Sequence, residues 1–476
     1  MDPSIKKNEN KLNRIAGGER PAQADQQMET VTASNDADQS LAFQRSTPPA
    51  MWMQAERLNS TGTSLLRAGR YDEALTAFRQ VLELYRQLPD SQRQQADNLF
   101  NAGLALREMR RYGEALTVYR QAVELYRHVP GTQRDQADCL LNTGGIMIDT
   151  DRYEEACSAF HDALNLYRQL DGTQYQQGNC LLKTGHALRN LERYEEAISA
   201  YRHAVDLCRQ LDGTQQERAD TLHYSIGLTL NRIRRFEEAI SAYREALDLY
   251  RRLDGTQRHQ AHCLYNTGAV LRDAKQYEDA VTAFQQAQGL YQHLDGSTQD
   301  QADCARSAGN TLRDMGRRQE AITAYREALA IFRQEDGTEK DQANILNYRI
   351  GLTLADMWQY DEALTAYRQA QDLYSRATGA QRQHADCLYN TGITLRDLGR
   401  YQEAITAYQQ ALELFRQVNG TQRQQAYCLN EGIGNTLHRM GRPDEAATAY
   451  QQAQNLDPNL NGTEQSPKGS PGPDIG

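Results

Sequence analysis

One tract of about 41 residues recurs along this chain, and the recurrence constrains the fold more than any other feature. The stretch ADCLLNTGGIMIDTDRYEEACSAF at 137–160 returns as ADCLYNTGITLRDLGRYQEAITAY at 385–408. The glycine that follows the Asn-Thr pair of these tracts serves as an anchor. It falls at Gly62, Gly103, Gly144, Gly185, Gly227, Gly268, Gly309, Gly351, Gly392 and Gly434, with six spacings of 41 residues and three of 42. Ten repeats therefore occupy residues 47–458. The stretches 1–46 and 459–476 are polar and aperiodic, and both are expected to be disordered.

Other residue types keep fixed distances from the anchor. Three residues on stands Leu or Met every time. Twelve on stands Ala every time, from Ala74 to Ala446, and sixteen on stands Phe or Tyr, from Phe78 to Tyr450. Nineteen on stands Ala in nine repeats and Val81 in the first. Spacings of four and three place the last three types on one face of an α-helix. The anchor glycine lies on a preceding helix and lets it approach that face closely, against a helix-propensity cost of about 1 kcal/mol. Each repeat thus predicts an antiparallel helix pair, and the chain an all-α solenoid. Gly172, Gly213, Gly255 and Gly337 suit a left-handed position ending one helix. Thr173, Thr214, Thr256 and Thr338 suit the N-cap of the next, with Gln176, Glu217 and Asp341 as capping-box partners. Thr47 and Pro48 read as the start of the first helix. The three 42-residue repeats carry their extra residue before the anchor, in ADTLHYSIG, QANILNYRIG and QAYCLNEGIG. A π-bulge inside the helix and a shifted helix start both accommodate it.

The Gly-x-x-Leu of the first helix and the Ala-x-x-x-Phe/Tyr-x-x-Ala of the second resemble the tetratricopeptide repeat family, down to a closing proline at Pro458. The repeats are longer than the usual length of about 34 residues by about one turn per helix. In length they are similar to those of kinesin light chain-type scaffolds. The resemblance implies ten helix pairs in a right-handed superhelix, with the first helix of each pair lining a concave groove.

Composition excludes several classes of function. Lys and Arg number 53 against 63 Asp and Glu, a net charge of −10, which disfavours broad nucleic-acid binding. No run approaches the roughly 18 apolar residues of a membrane helix, and the first 40 residues lack a secretory leader's apolar segment. A cytoplasmic location is expected. Six of the eight cysteines, Cys139, Cys180, Cys263, Cys304, Cys387 and Cys428, occupy equivalent positions of separate repeats. They read as small core residues in reduced form rather than as zinc ligands. His259 and His262 lack a third ligand nearby, and carboxylate pairs such as Glu154–Glu155 and Glu237–Glu238 fit a helix start. No phosphate-cradling loop or nucleophile motif occurs. The expectation is a non-enzyme with neither metal nor cofactor.

What remains is a surface. Carried over from the family, the groove is lined at −3, −2, +1, +4 and +5 from the anchor. At −2 stand Asn101, Asn142, Asn266 and Asn390, the residue type that the family uses to clamp a peptide backbone. That row is broken elsewhere, by Ser307 and Arg349 among others. At −3 stand aromatic residues including Tyr265 and Tyr389. At +4 stand Arg107, Arg189, Arg272, Arg313 and Arg396, which suit acidic or phosphorylated segments. The Asp residues at +5 (149, 273, 314, 356 and 397) offer the same arginines a structural ladder, and both readings stand. Trp358 occupies the turn at +7, either as an exposed contact or as a cover over its neighbours. The expected function is a scaffold that binds a protein or peptide partner, acidic in character, in the groove. The alternatives are a peptide-responsive regulatory sensor, or a recruitment arm or effector acting with a separate catalytic partner. The last repeat lacks a polar capping helix, and its end face reads either as an oligomerisation surface or as a tolerated frayed end.

Overall fold

The computed structural model describes residues 48–458, and the two terminal stretches and Thr47 lie outside them. Twenty helices pack as consecutive pairs, and no strand occurs among the described residues. The first helices of the pairs are α1 (Pro48–Arg67), α3 (Gln92–Glu108), α5 (Gln133–Asp149), α7 (Gln174–Asn190), α9 (215–232), α11 (Gln257–Asp273), α13 (Thr298–Asp314), α15 (339–356), α17 (Gln381–Asp397) and α19 (422–439). The second helices are α2 (Tyr71–Arg86), α4 (Tyr112–Arg127), α6 (Tyr153–Tyr167), α8 (Tyr194–Arg209), α10 (Phe236–Tyr250), α12 (Tyr277–Tyr291), α14 (Arg318–Phe332), α16 (Tyr360–Arg376), α18 (Tyr401–Arg416) and α20 (Pro443–Leu456). The described residues divide into two compact bodies, 48–249 and 250–458, and within each body a helix packs on the one before and the one after it.

The repeating residues are the core. Every Ala at +12 is at most 1% exposed, and the +16 ring is at most 1% exposed in the first nine repeats. The ring lies against the anchor glycine of its own repeat. A Cβ on Gly103 would sit 2.5 Å from the Tyr119 ring, and one on Gly392 2.5 Å from the Tyr408 ring. The other eight anchors face their rings in the same way, so no side chain fits at this position in any repeat.

The extra residues are absorbed inside the helices. α9, α15 and α19 each contain a seven-residue π segment that ends on the anchor glycine: Thr221–Gly227, Ile345–Gly351 and Cys428–Gly434. The wider turn leaves both the helix start and the glycine-on-ring contact in place.

The connections correct one expectation. Gly172, Gly213, Gly255 and Gly337 do adopt positive φ, from 70° to 81°, but four or five residues beyond the end of the second helix. The following threonines make no side-chain cap bond. Their hydroxyls turn back instead onto the carbonyls that end the preceding helix, as Thr173 Oγ1 does on Tyr167 O at 2.6 Å and Leu170 O at 3.0 Å. Those carbonyls are orphaned by the helix end and buried, so they outcompete the amides of the next helix for the hydroxyl. The turn from first to second helix uses the +7 residue in the left-handed region in all ten repeats, Trp358 among them. Arginines at +8 then clip the glutamate at +11, as Arg111 does on Glu114 with two bonds of 2.7 Å.

Candidate functional site

The expected contact rows lie on the first helices, and the two bodies use them differently. In the N-terminal body, Arg107 Nη1 donates to Asn142 Oδ1 of the next repeat at 3.1 Å, and Asn142 Nδ2 donates to Asp138 O in its own helix at 2.9 Å. Arg107 Nη2 also lies 3.9 Å from Asp149. Burial raises the Asp149 carboxyl above its ordinary value, with Arg107 the first charge opposing that shift. An expected Asn and an expected Arg thus bind each other across a repeat boundary. Asn101 is partly buried, and its amide has no partner among the described residues. Arg189 is partly buried on α7. One turn back, the His186 ring packs 5.5 Å from Tyr201 with Nε2 3.3 Å from Ser225 Oγ, and burial holds its pKa well below the histidine range.

In the C-terminal body the rows are less uniform. Tyr265 packs on Phe284 at 5.4 Å, and its hydroxyl lies 3.3 Å from Ser307 Oγ in the next repeat. Asn266, beside it, is partly buried. Tyr389 packs on Tyr408 at 5.4 Å, and Asn390 Nδ2 donates to Asn347 Oδ1 at 3.1 Å. Arg396 donates to Glu431 O at 2.8 Å and lies 3.6 Å from Asp397. Arg272 lies 3.6 Å from Asp273, next to it in the chain. Arg313 is partly buried, and its guanidinium has neither hydrogen bond nor ion pair among the described residues. Of the five arginines at +4, only Arg107 is recorded reaching the Asp of the following repeat, so the charge ladder exists at that step.

Two arginines that the rows do not include join this surface. Arg306 stands at −3 of the seventh repeat and pairs with Asp303 at 2.7 Å. Arg349 stands at −2 of the eighth, inside the π segment Ile345–Gly351, and its guanidinium has no hydrogen bond or ion pair among the described residues. The signal for both was present in the sequence as arginines at −3 and −2 of adjacent repeats, positions that are aromatic in five repeats and Asn in four. Between them, Tyr325 donates its hydroxyl to Asn310 Oδ1 at 2.9 Å.

Trp358 is 75% exposed and holds φ at +63°, in T-shaped contact with Tyr360 at 6.0 Å. A bulky residue in the left-handed region is strained, and here the strain presents the indole to solvent. The six cysteines named above are 0% exposed. His259 stacks on Tyr250 while His262 meets the Tyr291 hydroxyl at 2.9 Å, so they face separate tyrosines. Among the described residues no group of three or more metal-binding side chains assembles, and no helix is long and apolar enough to cross a membrane.

A family model described as tetratricopeptide repeat matches residues 56–128, 135–210, 217–293, 260–334, 341–417 and 388–459, most of the chain. No curated protein sequence matches the chain. Among solved structures, the apo form of RapI aligns over 77% of this chain and 98% of its own, at 14% identity and a TM-score of 0.47. BtubC (BKLC) from P. vanneervenii aligns over 50% and 96%, at 16% identity and a TM-score of 0.40. MamA aligns over 40% and 94%, at 18% identity and a TM-score of 0.31.

Proposed function

The chain belongs to the tetratricopeptide repeat family, and from that premise we propose that it is a non-catalytic scaffold holding a segment of a protein partner along its first-helix faces. The carrying observation is unused bonding capacity on those faces. Asn142, Asn390, Arg107 and Arg396 are bonded within the protein, whereas Asn101 and Arg313, at equivalent positions, have no partner among the described residues. A partly buried amide or guanidinium without a partner forgoes hydrogen bonds that a ligand restores. The contact set is Asn101, Asn266, Arg189, Arg272 and Arg313 with Tyr265 and Tyr389, and Trp358 is a separate exposed anchor. The arginines select for an acidic partner. Six fully buried thiols suit a reducing, cytoplasmic setting. Self-association, if the protein uses it, belongs to the end of α20, where Leu456 is 37% exposed.

The test is capture from a cell lysate by the wild-type chain and by the triple variant Arg189→Glu, Arg272→Glu, Arg313→Glu, after both show equal helicity and melting. Loss of the captured proteins from the well-folded variant supports the reading. The same proteins on both baits would overturn it and assign these arginines to structure.

A further inference from the structure

Repeats six to eight gather positive charge that the protein neutralises in part. Arg272, Arg306, Arg313 and Arg349 come from three consecutive first helices, α11, α13 and α15. Arg306 has Asp303 at 2.7 Å, and Arg272 has Asp273 at 3.6 Å. Arg313 and Arg349 have no ion pair among the described residues, although the chain as a whole has a net charge of −10.

The four groups sense one another. Burial is the main influence depressing the Arg349 guanidinium below its ordinary value, Tyr325 opposes it, and Arg306, Arg313 and Arg272 depress it further. The Tyr325 hydroxyl lies in the field of Arg313, Arg349 and Arg306, with Asp314 the one acid acting on it. The remaining acids facing the cluster are Asp303 and Asp341, which act on each other and on Arg306. The hydrogen bond from Tyr325 to Asn310 and the Tyr265–Ser307 contact supply a polar floor. Arg349 lies within the π segment Ile345–Gly351, at the −2 position that Asn fills in four other repeats.

We propose that this cluster is a subsite for a phosphoryl group on the partner segment, with Arg313 and Arg349 as its unpaired forks and Arg272 and Arg306 at its rim. This rests on the scaffold reading above and adds the partner's chemistry. Arg313 and Arg349 stand at the +4 and −2 positions of consecutive repeats, the positions that bring Arg107 and Asn142 together at 3.1 Å. Two uncompensated guanidinium groups so placed call for about two negative charges on one group, which a phosphorylated side chain carries near neutral pH and a single carboxylate does not. Guanidinium forks match phosphate oxygens in pairs of hydrogen bonds. Elsewhere the rows place single arginines against Asn, Asp or a backbone carbonyl, and nothing there requires a dianion.

The experiment uses the full chain and two fluorescent peptides of equal length, one with a phosphoserine among Gly and Ser and one with Glu in its place. Anisotropy at physiological salt should show the phosphopeptide binding at least tenfold tighter than the Glu peptide. Arg349→Gln and Arg313→Gln should each weaken it at least tenfold, and Arg120→Gln, the same charge change at an exposed position of α4 outside the contact set, less than twofold. Inorganic phosphate should raise the melting temperature of the wild type but not of Arg349→Gln, which without phosphate should melt no lower than the wild type. Equal affinity for both peptides, equal loss with Arg120→Gln, or an Arg349→Gln chain that melts lower would each overturn the proposal. A chain that captures its lysate partners yet ignores the phosphopeptide overturns this subsite alone, whereas one that captures nothing removes the scaffold reading beneath it.

Discussion

Two glycine-to-alanine substitutions in the C-terminal body should move stability in opposite directions. Gly392 is an anchor, and a Cβ there would lie 2.5, 2.7 and 2.8 Å from atoms of the Tyr408 ring. Carbon atoms pack best at about 3.5–4.0 Å, so the ring would have to move by about 1 Å. It has no room, because Tyr408 is 0% exposed, Tyr389 packs on it at 5.4 Å, and the Gly432 backbone closes on it as well. Overpacking costs about 1–3 kcal/mol, and three contacts this short put it at about 2–3 kcal/mol; the gain in helix propensity returns about 1 kcal/mol, leaving Gly392→Ala destabilised by about 1–2 kcal/mol. Gly289 lies near the end of α12 and is exposed, and a Cβ there meets nothing within 4 Å. Gly289→Ala therefore keeps the propensity term alone and gains about 0.5–1 kcal/mol. Urea unfolding followed by circular dichroism gives the signs. Hydrogen exchange gives the place, since a repeat array need not unfold in one step. The loss in Gly392→Ala should concentrate in α17 and α18. If Gly392→Ala matched or exceeded the wild type, Tyr408 would have freedom that its surroundings deny it, and the argument that contact fixes ten glycines would fail.

Four further outcomes are expected. Asn98 is 1% exposed, neither atom of its amide has a hydrogen bond, and five other repeats have Cys at the same distance from the anchor; Asn98→Cys should gain about 1–3 kcal/mol in urea unfolding. A thiol reagent should titrate Cys157 and Cys208, both partly exposed, well ahead of the six buried cysteines, whose reaction should wait for denaturant; burial raises the thiol pKa at Cys157 and Cys208 and pushes Cys180 up to about 12. His186 stays neutral in the folded chain, while the unfolded chain takes up a proton near the ordinary value of about 6.5. Stability should therefore fall as pH drops below that value, and the fall between pH 7 and pH 5 should shrink in His186→Gln. Trp358→Gly should relieve the left-handed strain and gain about 1 kcal/mol, whereas a loss would show that the indole covers its neighbours.

The sequence exposed what is repeated and hid what is local. Ten copies of Gly, Ala, ring and Ala at fixed distances are legible because each copy solves the same packing problem, and burial of those residues follows. The threonines before the first helices were legible as helix punctuation but not in their bonding. A hydroxyl between two helix ends can serve either one, and only the fold shows that the buried carbonyls of the earlier helix are the nearer need. The extra residues were legible as insertions, but whether a helix widens or starts earlier depends on the ring that the anchor must meet, a contact 16 residues away. The arginine row was legible as a row, yet its members differ in the structure because their neighbours in adjacent repeats differ.

This difference bears on where function can reside in such a chain. A position filled identically in ten repeats and buried in each reports the requirement to stack, and it cannot distinguish one partner from another. Information about a ligand must lie where a single repeat departs from its fellows without a packing reason. Asn98 departs and is buried without bonds, so it costs stability and offers a ligand nothing. Trp358 departs at a place where Gly stands in four repeats, and it is held outward at 75% exposure. Arg306 and Arg349 depart in adjacent repeats of one body, within the field of Arg313. These last departures are coupled, because Arg306 keeps Asp303 as its partner while Arg349 adds a partly buried charge within the field of Arg306 and Arg313, a placement that is unfavourable until an anion arrives. Coupled departures that are unfavourable by themselves and favourable with one kind of partner are what selection by a ligand leaves in a repeat array, and for that reason the arginines of repeats six to eight outrank the more regular asparagine row as its specificity determinant.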